Sequence, residues 1–163
     1  PDNIHSLPAP YDNLGRIINS DLTQETVEGL IHSVTFTVPA ACTVEVKHGV
    51  TLVISGSNML TPSLAYINDN KTRTIETYFC FDINNDGLSP AEKALQYGNK
   101  GQFYCSVAGG SLGYPYMNSQ GYVTLPPGTH SIHFFGVVND PPNSFTSVGF
   151  GGATDYLKLR VYN

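Results

Sequence analysis

Residues 122–138, YVTLPPGTHSIHFFGVV, predict two β-strands joined at a fixed corner. Pro126 and Pro127 restrict the backbone angle φ and lack an amide donor, and Gly128 permits the positive φ at which the chain reverses. After the corner, polar and apolar residues alternate before an apolar run at 134–138. We expect this pair of strands to organise the rest of the fold.

The end of the chain has the same strand pattern. After a Gly151-Gly152 turn, residues 153–163 alternate between two faces. Leu157, Leu159 and Val161 share one face, and Tyr156, Lys158, Arg160 and Tyr162 share the other. Such alternation is typical of a strand with one buried and one solvated face.

Similar segments lie at 31–38, 43–48, 50–55 and 74–81, at spacings typical of hairpins. Gly49 is expected to separate the strand at 43–48 from the strand at 50–55. Neither an internal repeat nor a βαβ alternation is visible, so the sequence predicts an all-β protein. We expect an antiparallel β-sandwich or jelly roll of eight or nine strands with one short helix.

Composition excludes several functions. The formal net charge is −5 and only 13% of residues are charged, so a nucleic-acid partner is not expected. No apolar run is long enough to insert into a membrane, and no leader peptide is visible. The three cysteines, Cys42, Cys80 and Cys105, favour buried thiols, with a Cys80–Cys105 disulfide as the alternative.

Residues 1–30 are predicted to form an N-terminal arm, followed by the sandwich domain at 31–163. The first nineteen residues have no period and contain three prolines, so they need a surface on which to lie. Their own domain or a neighbouring subunit provides that surface. Asn19-Ser20-Asp21 is compatible with the cap of a helix ending at Gly29, and an extended arm is the alternative.

Residues 82–92, DINNDGLSPAE, resemble a calcium loop of the EF-hand and dockerin kind. By that resemblance the ligands are the side chains of Asp82, Asn84 and Asp86, the Leu88 carbonyl, and the Glu92 carboxylate. The acidic residue falls at the eleventh position instead of the twelfth, which departs from the EF-hand pattern.

The same residues have a second interpretation. Ser89-Pro90-Ala91-Glu92 is a capping box with proline at the first helical position, which predicts a short helix over 90–97 ended by Gly98. In that case Glu92 serves the helix terminus. Calcium therefore remains a predicted cofactor with a structural role.

Two further groups of residues are candidate sites. Tyr114, Tyr116 and Tyr122 form a polar–aromatic cluster suited to stacking on sugars or on another protein, or they cap the end of the sandwich. His130 and His133 are three apart on a strand and so point to opposite faces, which predicts surface or interface histidines.

No catalytic constellation is recognisable, and we expect a protein that is not an enzyme. His32 and His48, on apolar-facing strand positions, are expected to be hydrogen-bonded core histidines.

The corner LPPGTHSI at 125–132 and the closing segment GFGGATDYL at 149–157 are similar to the closing strands of phage virion β-sandwich domains. Tail-fibre heads, head-decoration proteins and C1q/TNF-like jelly rolls have comparable endings. The resemblance covers about 40 of 163 residues. It implies a non-enzymatic, multimeric surface protein of a virion or an extracellular appendage, with self-association as its main interaction. The alternative is a secreted, calcium-dependent carbohydrate-binding module that contacts cell-surface glycans.

Overall fold

The computed structural model describes residues 3–9, 15–20, 26–61, 65–67, 69–98, 102–105 and 115–163, with only the backbone of 102–105. These residues form ten strands and one short helix. The elements are β1 (Ile4–Ser6), β2 (Arg16–Asn19), β3 (Thr26–Val38), β4 (Cys42–Ser55), β5 (Thr72–Asp82), α1 (Pro90–Ala94), β6 (Gln102–Cys105), β7 (Tyr116–Leu125), β8 (Gly128–Asn139), β9 (Ser147–Phe150) and β10 (Tyr156–Tyr162). The predicted all-β class is confirmed.

The strands form two antiparallel sheets. In sheet I, β1 pairs β2, β2 pairs β9, and β4 pairs β9, β10 and β7. Both β9 and β10 lie along β4, at residues 52–55 and 43–49, so they act as one strand interrupted by a turn. Sheet II has the order β3-β8-β5-β6. The chain crosses repeatedly from one sheet to the other, and the resulting strand order is that of a jelly roll, which consists of two Greek keys.

The corner that opens the sequence connects the sheets. It ends β7 of sheet I at Leu125 and begins β8 of sheet II at Gly128, whose φ of 147° is open to glycine alone. The carbonyl oxygen of Pro126 lies 2.9 Å from Nε2 of His130, which holds the corner against the next strand.

The core lies between the inner faces of the two sheets. Its fully buried members include Ile54 and Leu52 of β4, Phe79 of β5, and Phe134 of β8. Strand β8 is buried on both faces, because α1 and neighbouring side chains cover part of the outer face of sheet II. A second apolar cluster lies on this outer face. It consists of Tyr78, Cys80, Phe135 and Val137, with Leu88 packed against it.

Several sequence predictions need correction. Gly49 does not end a strand, since β4 continues through it. Residues 26–29 are strand, so a helix ending at Gly29 is wrong. The predicted arm contributes β1, β2 and the start of β3 to the sheets, and thus has no boundary with the sandwich at residue 30. The predicted helix at 90–97 spans only Pro90–Ala94.

The disulfide alternative also fails. Register places Cys105 beside Thr72, eight residues along β5 from Cys80. That spacing corresponds to about 26 Å in a strand, beyond the reach of a disulfide. Cys42 is a buried free thiol. In the described part of the chain, no helix has the length and apolar character needed to span a membrane.

Candidate functional site

The outer face of sheet I is an exposed surface of tyrosines and charged residues. Register aligns β7, β4 and β10 in three rows, Tyr122–Glu45–Arg160, Gln120–Lys47–Lys158 and Asn118–Gly49–Tyr156. Tyr116 and Tyr162 lie at the two ends of this surface, 38% and 44% exposed. We call these residues together the tyrosine face.

Glu45 is the centre of the tyrosine face. Its Oε1 accepts hydrogen bonds from the Tyr122 hydroxyl at 2.7 Å and from Gln120 Nε2 at 3.0 Å, and Lys47 Nζ lies 3.1 Å away. Its Oε2 accepts from the Tyr162 hydroxyl at 3.1 Å. The Tyr122 hydrogen bond, with Lys47 and Tyr162 in addition, lowers the pKa of Glu45 to about 2. Glu45 is therefore a carboxylate that holds four exposed side chains in place.

Two cations stand beside this cluster on β10. Arg160 Nη1 is 3.8 Å from the second Glu45 oxygen and donates to the Tyr162 hydroxyl at 3.4 Å. Lys158 Nζ lies 5.3 Å from the ring centroid of Tyr156. A depression of about 450 Å³ runs over this region, lined by Glu45, Lys47, Leu157, Lys158, Leu159 and Arg160.

Gly49 leaves room for Tyr116 and Tyr156 at the other end of the tyrosine face. A Cβ at this position would overlap the Tyr116 hydroxyl oxygen and the Tyr156 ring. The two ring centroids are 6.5 Å apart, and the hydroxyls donate to the Thr154 carbonyl at 3.3 Å and to Asn118 Oδ1 at 3.0 Å. Glycine within a strand here marks the close approach of side chains from both neighbouring strands.

The structure places two of the three predicted ligand-binding tyrosines on one face of the same strand. Tyr116 and Tyr122 both point outward from β7 on the tyrosine face. Tyr114 lies outside the described residues. The sequence did not predict that Glu45, Tyr156 and Tyr162 join them.

The predicted calcium loop is held by its own hydrogen bonds. Asp82 Oδ1 accepts from the Asp86 backbone amide at 3.2 Å and Oδ2 from that of Gly87 at 3.0 Å. Asn84 Nδ2 donates to Asp86 Oδ2 at 2.7 Å. The Leu88 side chain packs against the outer cluster of sheet II. The bend at Gly87, with φ of 109°, is as predicted.

Glu92 forms the capping box. It accepts from Ser89 N at 3.0 Å and Ser89 Oγ at 2.6 Å through one oxygen, and from Ile83 N at 2.9 Å through the other. The Ser89 hydroxyl and then the Ile83 amide lower the pKa of Glu92. Among the described residues, no three His, Cys, Asp or Glu side chains are grouped to hold a metal ion.

The histidines of β8 are placed on opposite faces, as expected. His130 is not at the surface, however: it is 1% exposed, and its Nδ1 lies 2.5 Å from the Ile83 carbonyl oxygen. His133 lies on the outer face of sheet II, with Nδ1 2.7 Å from Ser33 Oγ and Nε2 3.7 Å from Asp82 Oδ2. His130 therefore joins the calcium-like loop to the β7–β8 corner.

His32 and His48 lie between the sheets. Their ring centroids are 5.3 Å apart, and both rings contact Phe134. They line a cavity of about 240 Å³ beside Asp155 and Tyr156. Burial lowers the pKa of both histidines, that of His48 to about 3 with His32 adding to the shift. His32 Nδ1 is buried without a hydrogen-bond partner in the described part of the chain, contrary to the prediction of a hydrogen-bonded histidine.

Comparisons with known proteins give one distant similarity to report. No family model matches the sequence, and no curated protein matches it. Among solved structures, the chain is similar to a structure of the Gx strain of infectious bursal disease virus, with 10% identity and a TM-score of 0.35. The match covers 89% of this chain and 36% of the other, so this chain spans just over a third of that protein's length. A similarity at this level carries no argument about function.

Proposed function

We propose that this chain is a non-enzymatic structural protein of a virion or an extracellular fibre, and that it assembles with copies of itself. The observation that supports this most is a vacant strand position in sheet I. Strand β2 lies beside β9, but in the described residues no strand lies beside β10, whose outer edge is therefore unpaired. An unpaired edge of seven residues is a template for a strand from another chain.

The vacant position also exposes apolar side chains. Leu157 and Leu159 of β10, and Val34 and Phe36 of β3, pack against the core while remaining only partly buried. Val161, next along β10, is 49% exposed. Ile18 of β2 lies against Gly29 in the first part of β3. Strand β2 is only four residues long. We therefore expect Val34 and Phe36, farther along β3, to lie beyond its reach. We call β10 and residues 33–38 of β3 the open side.

A strand added here gains main-chain hydrogen bonds and buries apolar surface together. Symmetric pairing of β10 with its own copy about Leu159 is unfavourable, because it places Lys158 opposite the partner's Arg160. A head-to-tail contact, in which the open side receives a different extended segment of the neighbouring copy, avoids this repulsion and is the arrangement we propose. Contacts of this kind produce closed rings or open filaments.

Sedimentation velocity over a wide concentration range tests this proposal. The wild-type chain is expected to form a defined multimer, and Val161→Lys is expected to shift it towards monomer by placing an amine on the open side. Leu95→Lys is the matched control, since Leu95 is also exposed (61%) but lies after α1. A wild-type chain that stays monomeric at every concentration contradicts the proposal. Removing the first sixteen residues is a poorer test, because β1 pairs with β2 within the same chain.

Calcium at residues 82–92 stays a prediction. A carboxylate oxygen accepts more than one bond, so Asp82 and Glu92 keep capacity for an ion, but their present donors are backbone amides and Ser89. Asp86→Ala separates the two interpretations. If calcium binds, the variant lowers the melting temperature only when calcium is present. An equal change with and without calcium leaves only the hydrogen-bonded turn.

The calcium-dependent lectin alternative receives less support from the geometry. Asp82 lies on the outer side of sheet II beside His133, whereas Tyr116 and Tyr122 lie on the outer side of sheet I. The two sheets of a sandwich are about 10 Å apart, so the core separates the predicted ion from these tyrosines. A sugar held by the tyrosines would be bound without a contact to that ion.

A further inference from the structure

The tyrosine face concentrates positive charge in an acidic chain. Lys47, Lys158 and Arg160 are three of the eight Lys and Arg residues in a protein of net charge −5. They lie in adjacent rows of β4 and β10, and the carboxylate among them, Glu45, already accepts hydrogen bonds from Tyr122, Gln120 and Tyr162. Three cations and one carboxylate give this patch a local charge of +2, so it attracts an anionic ligand.

The patch is also shaped for a ligand. The depression of about 450 Å³ is lined by all three cations and reaches Leu157 and Leu159. Glu45 is only 4% exposed, so a ligand in the depression meets mainly the side chains that surround it. Glu45 also lines the depression, but the side chains of Lys47 and Arg160 are far more exposed than its own, at 42% and 69% against 5%.

The aromatic residues of the tyrosine face are held in place before any ligand arrives. The hydroxyls of Tyr122 and Tyr162 are fixed by Glu45, and those of Tyr116 and Tyr156 by the Thr154 carbonyl and by Asn118. Fixed side chains lose little conformational freedom on binding, which favours affinity. Tyrosine rings suit the apolar faces of sugar rings, and their hydroxyls suit sugar hydroxyls.

We propose that the tyrosine face binds an acidic saccharide, with its carboxylate or sulfate groups at Lys47, Lys158 and Arg160 and its sugar rings on the neighbouring tyrosines. Binding needs no calcium, because no residue of the 82–92 loop belongs to this face. Nucleic acid fits less well, since three cations on an acidic chain are few for a phosphate backbone. The depression borders the open side at Leu157 and Leu159, whereas the cations and tyrosines lie on the outer face of sheet I. Saccharide binding is therefore a further role beside assembly.

Isothermal titration of the intact protein tests the proposal, in buffer containing EDTA at low and at physiological salt. The probes are heparin oligosaccharides for sulfated sugars, oligosialic acid for carboxylated sugars, dextran as the neutral sugar, and single-stranded DNA as a non-sugar polyanion. We expect at least one acidic saccharide to bind, more weakly at higher salt, and dextran to be silent. Which acidic probe binds identifies the anionic group.

Variants locate the site. Lys158→Gln with Arg160→Gln is expected to weaken binding about tenfold or more, because charge-assisted hydrogen bonds to the anion are lost. Tyr122→Ala is expected to weaken it about fivefold to tenfold through lost ring contact. Lys71→Gln, a cation on another part of the surface, is the matched control and should bind as the wild type does. Circular dichroism melts of each variant verify folding.

Three results overturn the proposal. One is the absence of binding by both acidic saccharides. A second is binding that the Lys158/Arg160 variant leaves intact, or that Lys71→Gln weakens equally. The third is single-stranded DNA binding as tightly as the best saccharide with the same variant response, which indicates general attraction of polyanions instead of sugar recognition.

Discussion

The carboxylates of the 82–92 loop on sheet II and Glu45 on sheet I form different kinds of hydrogen bond. On sheet II, Asp82 and Glu92 accept hydrogen bonds largely from backbone amides of their own loop, including those of Gly87 and Ser89. On sheet I, Glu45 accepts from the side chains of residues on two neighbouring strands, such as Tyr122. The first arrangement fixes the path of the chain, and the second arranges a surface.

This difference separates structural residues from candidate binding residues. Backbone amides of a turn lose their partner when an acid of sheet II is removed, and part of the local fold is lost with it. Side chains around Glu45 can turn to water or to a ligand when Glu45 is changed. We therefore expect substitutions of Asp82 and Glu92 to change stability, and substitutions of Glu45 and its side-chain donors to change mainly binding at the tyrosine face. Of four predictions, ordered by expected effect, the first sets the pH at which the contrast is measured and the other three test it.

The loss of stability at acid pH caused by the buried histidine pair is the largest effect that we expect. It therefore sets the pH at which the two faces must be compared. The folded pKa of His48, about 3, lies below its ordinary value of 6.5. The unfolded chain therefore binds more protons between these pH values, so stability is complete above pH 6.5 and falls as pH drops towards 3. The slope from one such histidine is about 1.4 kcal/mol per pH unit.

Urea unfolding at several pH values measures this slope. His48→Gln should flatten it between pH 6 and pH 4, whereas His5→Gln, on β1 and apart from the pair, should not. An unchanged slope in His48→Gln contradicts the assignment of acid sensitivity to the pair.

Removing Asp82 is the second largest effect. Asp82→Ala leaves two turn amides without their charged acceptor, and we expect a loss of about 2 kcal/mol in the free energy of unfolding at pH 7. Asn84→Ala, an exposed position in the same loop, serves as the control with a much smaller loss. Equal losses from the two variants mean that the loop is not organised by Asp82.

The capping box gives the next effect. Glu92→Ala removes acceptors for the Ser89 and Ile83 amides and is expected to cost about 1 kcal/mol. Glu92→Gln retains an oxygen for the Ser89 amide, so it should lose less. Chemical denaturation of both variants is the measurement. A Glu92→Gln variant that is no more stable than Glu92→Ala argues against the capping role.

Glu45 gives the smallest effect on stability at neutral pH. Its folded pKa of about 2 lies below the ordinary 4.5, so its contribution is present above pH 4.5 and is lost as pH falls towards 2. Glu45→Gln should lower the melting temperature at pH 7 less than Asp82→Ala does. Below pH 4.5, the melting temperature of Glu45→Gln should depend less on pH than that of the wild type. If Glu45→Gln is the more destabilising variant, the contrast between the faces is wrong.

The sequence predicts the local features of this fold well. The Pro126-Pro127-Gly128 corner, the alternation at 156–162 and the capping box at Ser89 depend on neighbouring residues, and each is found where expected. The Gly49 prediction fails because glycine was interpreted as a strand break. Its actual cause, two tyrosines from β7 and β10 meeting over β4, involves residues distant in the chain.

The candidate site is less predictable for the same reason. Tyr122 and Tyr116 were identified from composition, but nothing near Glu45 in the sequence indicates that Tyr122 and Tyr162 donate to it. These donors lie 77 and 117 residues away along the chain. Only the jelly-roll pairing of β4 with both β7 and β10 brings them together. The prediction of a surface or interface position for His130 is wrong because strand periodicity does not reveal that the carbonyl oxygens of Ile83 and Pro126 meet its ring.

The central claim is that this protein functions by contact, with the open side as the place where copies meet. Amide hydrogen exchange followed by mass spectrometry, compared between dilute and concentrated protein, tests it most directly. We predict slower exchange on concentration in residues 156–162 and 33–38, with residues 82–92 unchanged. Exchange that is independent of concentration along the whole chain, or protection confined to 82–92, would contradict the account.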